Sequence, residues 1–210
     1  IYIKRATNMK ATNANSDHLF SIPKKLISLV LLASLSACDQ STSDMQKLEG
    51  FAQGTSYHIT YLPAAEHKVN PKEIEQQIAA EFERIDLTLS NYRDDSDIEK
   101  FNANQTDAPQ SVDPEMVKLV EQARSVYQAS NGCYDLTIKP LFDLWGFKND
   151  VFSPPSEEDL LLAMSTVGMN YLETVDATHL RKKFPKLRFD ISSIGQGYTV
   201  SRMAAILENH

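Results

Sequence analysis

Asp190-Ile191-Ser192-Ser193-Ile194-Gly195-Gln196-Gly197 sets a carboxylate, serine hydroxyls and a Gly-x-Gly pair side by side. A strand-like run, Leu187 to Ile191, leads into it and a helix-like run follows. That order suits phosphate. Glycines let a backbone approach an anion, and the first N–H groups of a helix are donors without helical partners. The stretch lacks the Gly-Lys-Ser/Thr ending of a Walker A loop, and Val200 stands where a full G-x-G-x-x-G has its last glycine. Tight packing of a strand on a helix explains a lone Gly-x-Gly equally well.

Two other stretches carry chemistry. In Leu89-Ser90-Asn91-Tyr92-Arg93, a tyrosine at a polar helix exit can lay its ring on a flat ligand, or cap the core with its hydroxyl in water. In Asn131-Gly132-Cys133-Tyr134-Asp135-Leu136-Thr137, continuing to Trp145-Gly146-Phe147, small, aromatic and acidic residues follow a helix stop. Asp135 can accept from a ring N–H or a ribose hydroxyl, or cap the next turn.

Composition narrows the classes. The 210 residues are 42% hydrophobic and carry a net charge of −7. That is enough apolar matter for a core, and the scattered Lys and Arg make no basic footprint for nucleic acid. His18, His58, His67, His179 and His210 lie far apart, with no H-x-x-x-H or C-x-x-C spacing, so no zinc site is read.

Lys24-Lys25 followed by the apolar run Leu26 to Leu35 fits a signal peptide and is too short to span a bilayer. Leu35-Ser36-Ala37-Cys38 resembles a bacterial lipobox, which predicts cleavage and lipidation at Cys38; the alternative is an ordinary secretory peptide. Asp39 resembles the signal that retains Gram-negative lipoproteins in the inner membrane, so a lipid-anchored, periplasmic location is expected. Met9 is the one methionine before the apolar run, and the true start is left open between Ile1 and Met9. Residues 1–38 are therefore set apart as leader, 39–50 as a polar tether and 51–210 as the folded body. With Cys38 acylated, Cys133 has no disulfide partner.

The elements that must position these residues follow from caps and periods. Phe51 to Leu62 reads as strand around Gly54. Asn70-Pro71-Lys72-Glu73 opens a helix whose face Ile74, Ile78, Phe82, Ile85 and Leu89 predicts a span to Leu89. Ser96-Asp97-Ile98-Glu99 is a capping box for a short helix toward Phe101. Asp113-Pro114 opens another helix, with Met116, Val117, Val120, Ala123 and Tyr127 inward and Asn131-Gly132 as its stop. Pro154-Pro155-Ser156 introduces a third, closed by Gly168, and strands are expected at 171–175, 180–184 and 187–191. Helices and strands mix without a β-α-β rhythm, so the class is α+β, in one domain.

The strings GTSYHITY, LSNYRDDSDIEKFN, GCYDLTIKPLFDLWGF and FDISSIGQGYTVSRMAAIL, in this order, resemble the FAD:protein FMN transferase family (ApbE), from about Phe51 to His210. The resemblance implies a T-fold-related flavin-transferase domain that binds FAD and Mg²⁺. It implies transfer of FMN from FAD to a threonine hydroxyl, with AMP released. Acceptors in the family are subunits of Na⁺-translocating NADH:quinone reductases and Rnf-type complexes. Carried over by position, Gln53, Tyr92, Cys133, Tyr134, Asp135, Asp190 and Gln196 are FAD contacts, and Ser193 is a metal position. An oxygen-rich site suits Mg²⁺ better than zinc. FAD pyrophosphatase activity and non-catalytic flavin binding are the alternatives. Family members continue past this helix, so the chain is expected to be C-terminally incomplete, with catalytic groups and further metal ligands downstream of His210.

Overall fold

The structure, a computed structural model, describes residues 45–63, 70–147 and 152–210. The leader, the lipobox with Cys38 and the first part of the tether lie outside the described residues. Two compact units divide the described residues: 45–50 with 57–63 and 210, and 51–56 with 70–147 and 152–209.

The run around Gly54 is a hairpin of two strands rather than one strand: β1 (Gln46–Ala52) and β2 (Thr55–Tyr61). Its loop is Gln53-Gly54, both at positive φ (53° and 74°), the pair of left-handed residues that a two-residue hairpin needs. The arms belong to the first unit, where Glu49 and His58 face each other at 3.6 Å. The tip, Phe51 to Ser56, belongs to the second. Part of the stretch read as tether is therefore strand.

In the second unit, helix α1 (Pro71–Leu89) has its predicted span, and Asn70 Oδ1 accepts the Lys72 N–H. Ile74, Ile78, Ile85 and Leu89 are buried, and Phe82 is half-buried. Helix α2 (Asp97–Ala103) starts on Ser96, whose Oγ accepts the Glu99 N–H at 3.2 Å. The reciprocal half of the capping box is not made: Ser96 N–H goes to Arg93 O, and Glu99 is used elsewhere. Strand β3 (Gln110–Ser111) precedes α3 (Pro114–Ala129), capped by Asp113 and ended by Asn131 and Gly132 at positive φ. A 3-10 turn (Leu136–Ile138) continues into α4 (Lys139–Leu144), a helix that the caps and periods do not predict. Helix α5 (Glu157–Met164) starts on Ser156 as predicted and stops before Gly168, which instead opens a 3-10 turn, Met169–Tyr171.

β4 (Leu172–Asp176) and β5 (His179–Lys182) are antiparallel, and β5 also pairs β3, giving the order β3-β5-β4. The third expected strand is a correction. Leu187, Phe189 and Ile191 are buried in alternation, yet 187–191 joins no ladder. Helix α6 (Ser192–Glu208) follows directly and packs on α1. The α+β class holds.

Lys182 is fully buried on β5. Its ammonium donates to Asn102 O (3.1 Å) and Asn104 O (2.8 Å), closing the carbonyl end of α2, and lies 5.0 Å from the Phe101 ring centre. Burial, followed by the Arg188 charge, pulls its pKa from 10.5 down to about 8. Between those values the unfolded chain holds the proton that the folded chain has released, so stability rises with pH. Relative to Lys182→Met, the wild type should gain on the order of 1–2 kcal/mol from about pH 7 to about pH 9.5, read by urea unfolding at both. Equal differences at the two pH values would show that the lysine is not held charged against its burial.

Candidate functional site

Extended backbone at 187–191 needs partners, because buried N–H and C=O groups are costly when unpaired. Here side chains act in place of a neighbouring strand. Asn102 Oδ1 accepts the Phe189 N–H at 2.9 Å, and its Nδ2 donates to Phe189 O at 2.9 Å. Asn91 Oδ1 accepts the Ile191 N–H at 3.1 Å, and its Nδ2 donates to Phe189 O at 3.3 Å. Between them, the Asp190 N–H donates to Leu136 O at 2.8 Å. Asp190 is half-buried, and its Oδ1 accepts the Ser192 N–H at 2.8 Å, at the start of α6.

The Gly-x-Gly turn does not exist as a turn. Gly195 and Gly197 lie within α6, at ordinary negative φ, with nothing within 4 Å of a Cβ added to either. The helix starts at Ser192, three residues earlier than the glycines suggest. Its first donors are partly used: Ser192 N–H by Asp190, and Ile194 and Gly195 N–H by Ile191 O. The start of α6 is therefore a carboxylate-bearing helix end rather than a bare anion cradle.

Tyr134 joins the second stretch to the third. Its hydroxyl lies 2.8 Å from Ser193 Oγ, 59 residues away in sequence. Cys133 beside it is an exposed free thiol. Asp135 is the cap of the following 3-10 turn: Oδ1 accepts from Thr137 N (2.7 Å) and Thr137 Oγ1 (2.5 Å), and Oδ2 from Met169 N (3.0 Å). Its carboxylate is thus a structural staple.

Tyr92 is 75% exposed on the loop after α1, and its ring is no core cap. Gln53, at the hairpin tip, accepts from Thr199 Oγ1 at 3.1 Å, on the second turn of α6. It also hydrogen-bonds Asp86 of α1, whose pKa is raised by burial and drawn back by this contact. Gln196 is exposed on the same helix. So Asp190, Ser193 and the Tyr134 hydroxyl lie at the start of α6, Cys133 precedes Tyr134 in the chain, Gln196 and the Gln53 contact follow along the helix, and Tyr92 stands on the loop that also carries Asn91.

Sequence reasoning passes over Asn91, Glu99 and Asn102, and over Asp86 and Thr199. The first three sit inside LSNYRDDSDIEKFN, and the signal is present: Asn102 follows Phe101 on the inward face of a short helix, where an amide needs a reason. As a metal site the described residues are sparse. They hold no group of three or more His, Cys, Asp or Glu side chains placed to take an ion. Asp190 and Ser193 offer oxygens of the kind Mg²⁺ takes alongside a substrate's phosphates.

The family model described as the ApbE family matches residues 53–210. The chain belongs to the ApbE family. A relative named FAD:protein FMN transferase from Haemophilus influenzae is 30% identical over 196 residues, covering 88% of this chain and 56% of the relative. One of the same name from Escherichia coli is 28% identical, covering 81% and 52%. Among solved structures, the flavin transferase ApbE from Vibrio cholerae has a TM-score of 0.74 at 28% identity, covering 79% of this chain and 54% of that one. The apo flavinyl transferase ApbE of Pseudomonas stutzeri has 0.75 at 28%, covering 81% and 57%. The chain spans about half the length of the relatives it matches. The ApbE fold thus accounts for the mixed architecture, and the matched span contains every described candidate residue from Gln53 onward.

Proposed function

We propose that this protein is an FAD:protein FMN transferase. The oxygen of an acceptor threonine attacks the FMN phosphorus of FAD. A phosphoester forms, the pyrophosphate P–O bond breaks, AMP leaves and the hydroxyl proton is released. The observation that carries this reading is the family match over 53–210, which takes in the groups at the start of α6. The relatives' names support the same activity.

The local electrostatics favour a cation in the reaction. Asp190 places negative charge at the helix start, where a bare pyrophosphate would be repelled. Mg²⁺, held with Asp190 and Ser193 among its neighbours, would neutralise that charge and withdraw electrons from the phosphorus under attack. The chain's own residues do the rest. Tyr134 holds the Ser193 hydroxyl, Asp190 fixes the first turn of α6, and Tyr92 offers an exposed ring for the isoalloxazine to stack on. Cys133, Gln53 and Gln196 are proposed as lesser FAD contacts. We place the protein on the periplasmic side of the bacterial inner membrane, anchored through Cys38, with acceptor subunits of Na⁺-translocating NADH:quinone reductase or Rnf-type complexes as partners. Among the described residues no helix is long and apolar enough to cross a membrane.

The test is incubation of the full-length protein with FAD, Mg²⁺ and an acceptor subunit. Covalent flavin on the acceptor together with AMP is expected. Free FMN with AMP would make the protein a pyrophosphatase, and bound FAD without AMP a flavin carrier. Tyr92→Ala should weaken FAD binding several-fold, the loss of a stacking contact worth about 0.5–1.5 kcal/mol. Unchanged affinity in a fluorescence titration would assign Tyr92 to another surface.

A further inference from the structure

We infer that Asn91 and Asn102 are positioning residues for the flavin site, acting through the backbone on either side of Asp190. The inference rests on the flavin reading above.

A segment with a strand's burial pattern but no neighbouring strand has nothing local to fix its register. Asn102 supplies the missing edge at Phe189, taking its N–H and giving to its C=O at 2.9 Å each. Asn91 takes the Ile191 N–H at 3.1 Å. The two amides therefore grip residues 189 and 191, and Asp190 between them is tied to Leu136 O at 2.8 Å. Hydrogen bonds to three successive residues leave the Asp190 Cα little freedom. Its carboxylate is thereby set where it accepts the Ser192 N–H, one residue before the Ser193 that bonds Tyr134.

A primary amide can flip end for end, which would set oxygen against Phe189 O. Glu99 prevents that. Its Oε1 accepts from Asn91 Nδ2 at 2.8 Å and from Asn102 Nδ2 at 3.0 Å, so both nitrogens are directed. Lys139 Nζ, 3.4 Å from the same oxygen, makes the buried carboxylate tolerable; the two side chains are 5% and 12% exposed. This is why Glu99 leaves its capping box half-made. The asparagines lie 87 to 100 residues from the backbone they hold. Both are buried, so their effect on a ligand passes through Asp190.

The test uses the full-length protein and steady-state kinetics with FAD. Asn102→Asp keeps the acceptor for the Phe189 N–H but turns an oxygen toward Phe189 O and Glu99. KM for FAD should rise about tenfold and, because Asp190 also neighbours the proposed Mg²⁺, kcat should fall as well, the combined signature of lost site geometry. Adding Glu99→Gln supplies a donor opposite the carboxylate introduced at position 102 and should return KM to within about threefold. An unchanged KM in folded Asn102→Asp, a loss confined to kcat, or no rescue overturns the inference. Asn91→Ser, a smaller change with the same expected direction, decides the matter where Asn102→Asp does not fold. Failure of both to fold would make the asparagines requirements of the fold and overturn the positioning role. A wild-type protein without affinity for FAD would overturn the flavin reading itself.

Discussion

Asp135→Ala is expected to destabilise the fold by about 3 kcal/mol, although family position alone would mark Asp135 as a ligand contact. The carboxylate accepts the N–H of Thr137 and of Met169, both on buried residues, and the Thr137 hydroxyl. The oxygen of that hydroxyl in turn accepts the Gly168 N–H at 2.6 Å. One side chain therefore staples the 3-10 turn after α3 to the turn that leads into β4. Alanine would leave these donors buried without an acceptor, at about 1–3 kcal/mol for each group fully stranded, less what relaxation or water recovers. The melting temperature should fall by about 10 °C for a chain of this size. Asp135→Asn keeps one acceptor oxygen and should lose roughly half as much. A stable Asp135→Ala protein with impaired FAD binding would instead make Asp135 a ligand group and nothing more.

Local chemistry makes the helices legible. Asn70-Pro71, Ser96 and Asp113-Pro114 each cap a helix where the sequence indicates, because a cap is a contact between residues two or three apart. The segments that mislead are those whose partners are distant. Leu187 to Ile191 has a strand's alternation, but alternation reports burial and not what pairs the backbone; asparagine amides do so here. Gly195 and Gly197 read as a turn because glycine in a helix costs about 1 kcal/mol relative to alanine. The structure keeps both in α6 with bare space above them, so the loss of helix propensity is not offset by packing among the described residues. Helix α4 is hidden in the sequence because Pro140 and Gly146 frame a very short helix, and proline in a first turn costs little.

The same division runs through the site. Asp190 and Ser193 are three residues apart, so their nearness is visible from sequence. The Tyr134–Ser193 and Gln53–Thr199 hydrogen bonds, 59 and 146 residues apart, belong to tertiary structure alone. Asp135 illustrates a third case. Both of its readings, ligand acceptor and turn cap, are open in the sequence; the geometry shows the cap, on a carboxylate next to Tyr134 in the chain.

Glu81→Gln should cost about 1–2 kcal/mol at neutral pH and almost nothing in strong acid. Glu81 on α1 accepts from Arg84 at 2.8 Å through both oxygens and from Arg202 on α6 at 2.6 Å. These guanidiniums, Arg84 first, hold its carboxyl at about 2 instead of 4.5. A folded pKa below the unfolded one means stability that is present above pH 4.5 and lost as pH falls toward 2. The full shift corresponds to about 3 kcal/mol, but solvent reaches both arginines and screens the pair, which sets the smaller figure. Urea unfolding of wild type and Glu81→Gln at about pH 6 and about pH 2.5 should therefore give a gap that closes in acid. The consequence for the site differs from that of the asparagines. Arg202 lies nine residues beyond Ser193, so the ion pair fastens the body of α6, while the amide clamp fixes its approach. Glu81→Gln should leave KM for FAD close to wild type. A rise matching that of Asn102→Asp would mean that the seating of α6 on α1, and not the clamp, sets Asp190.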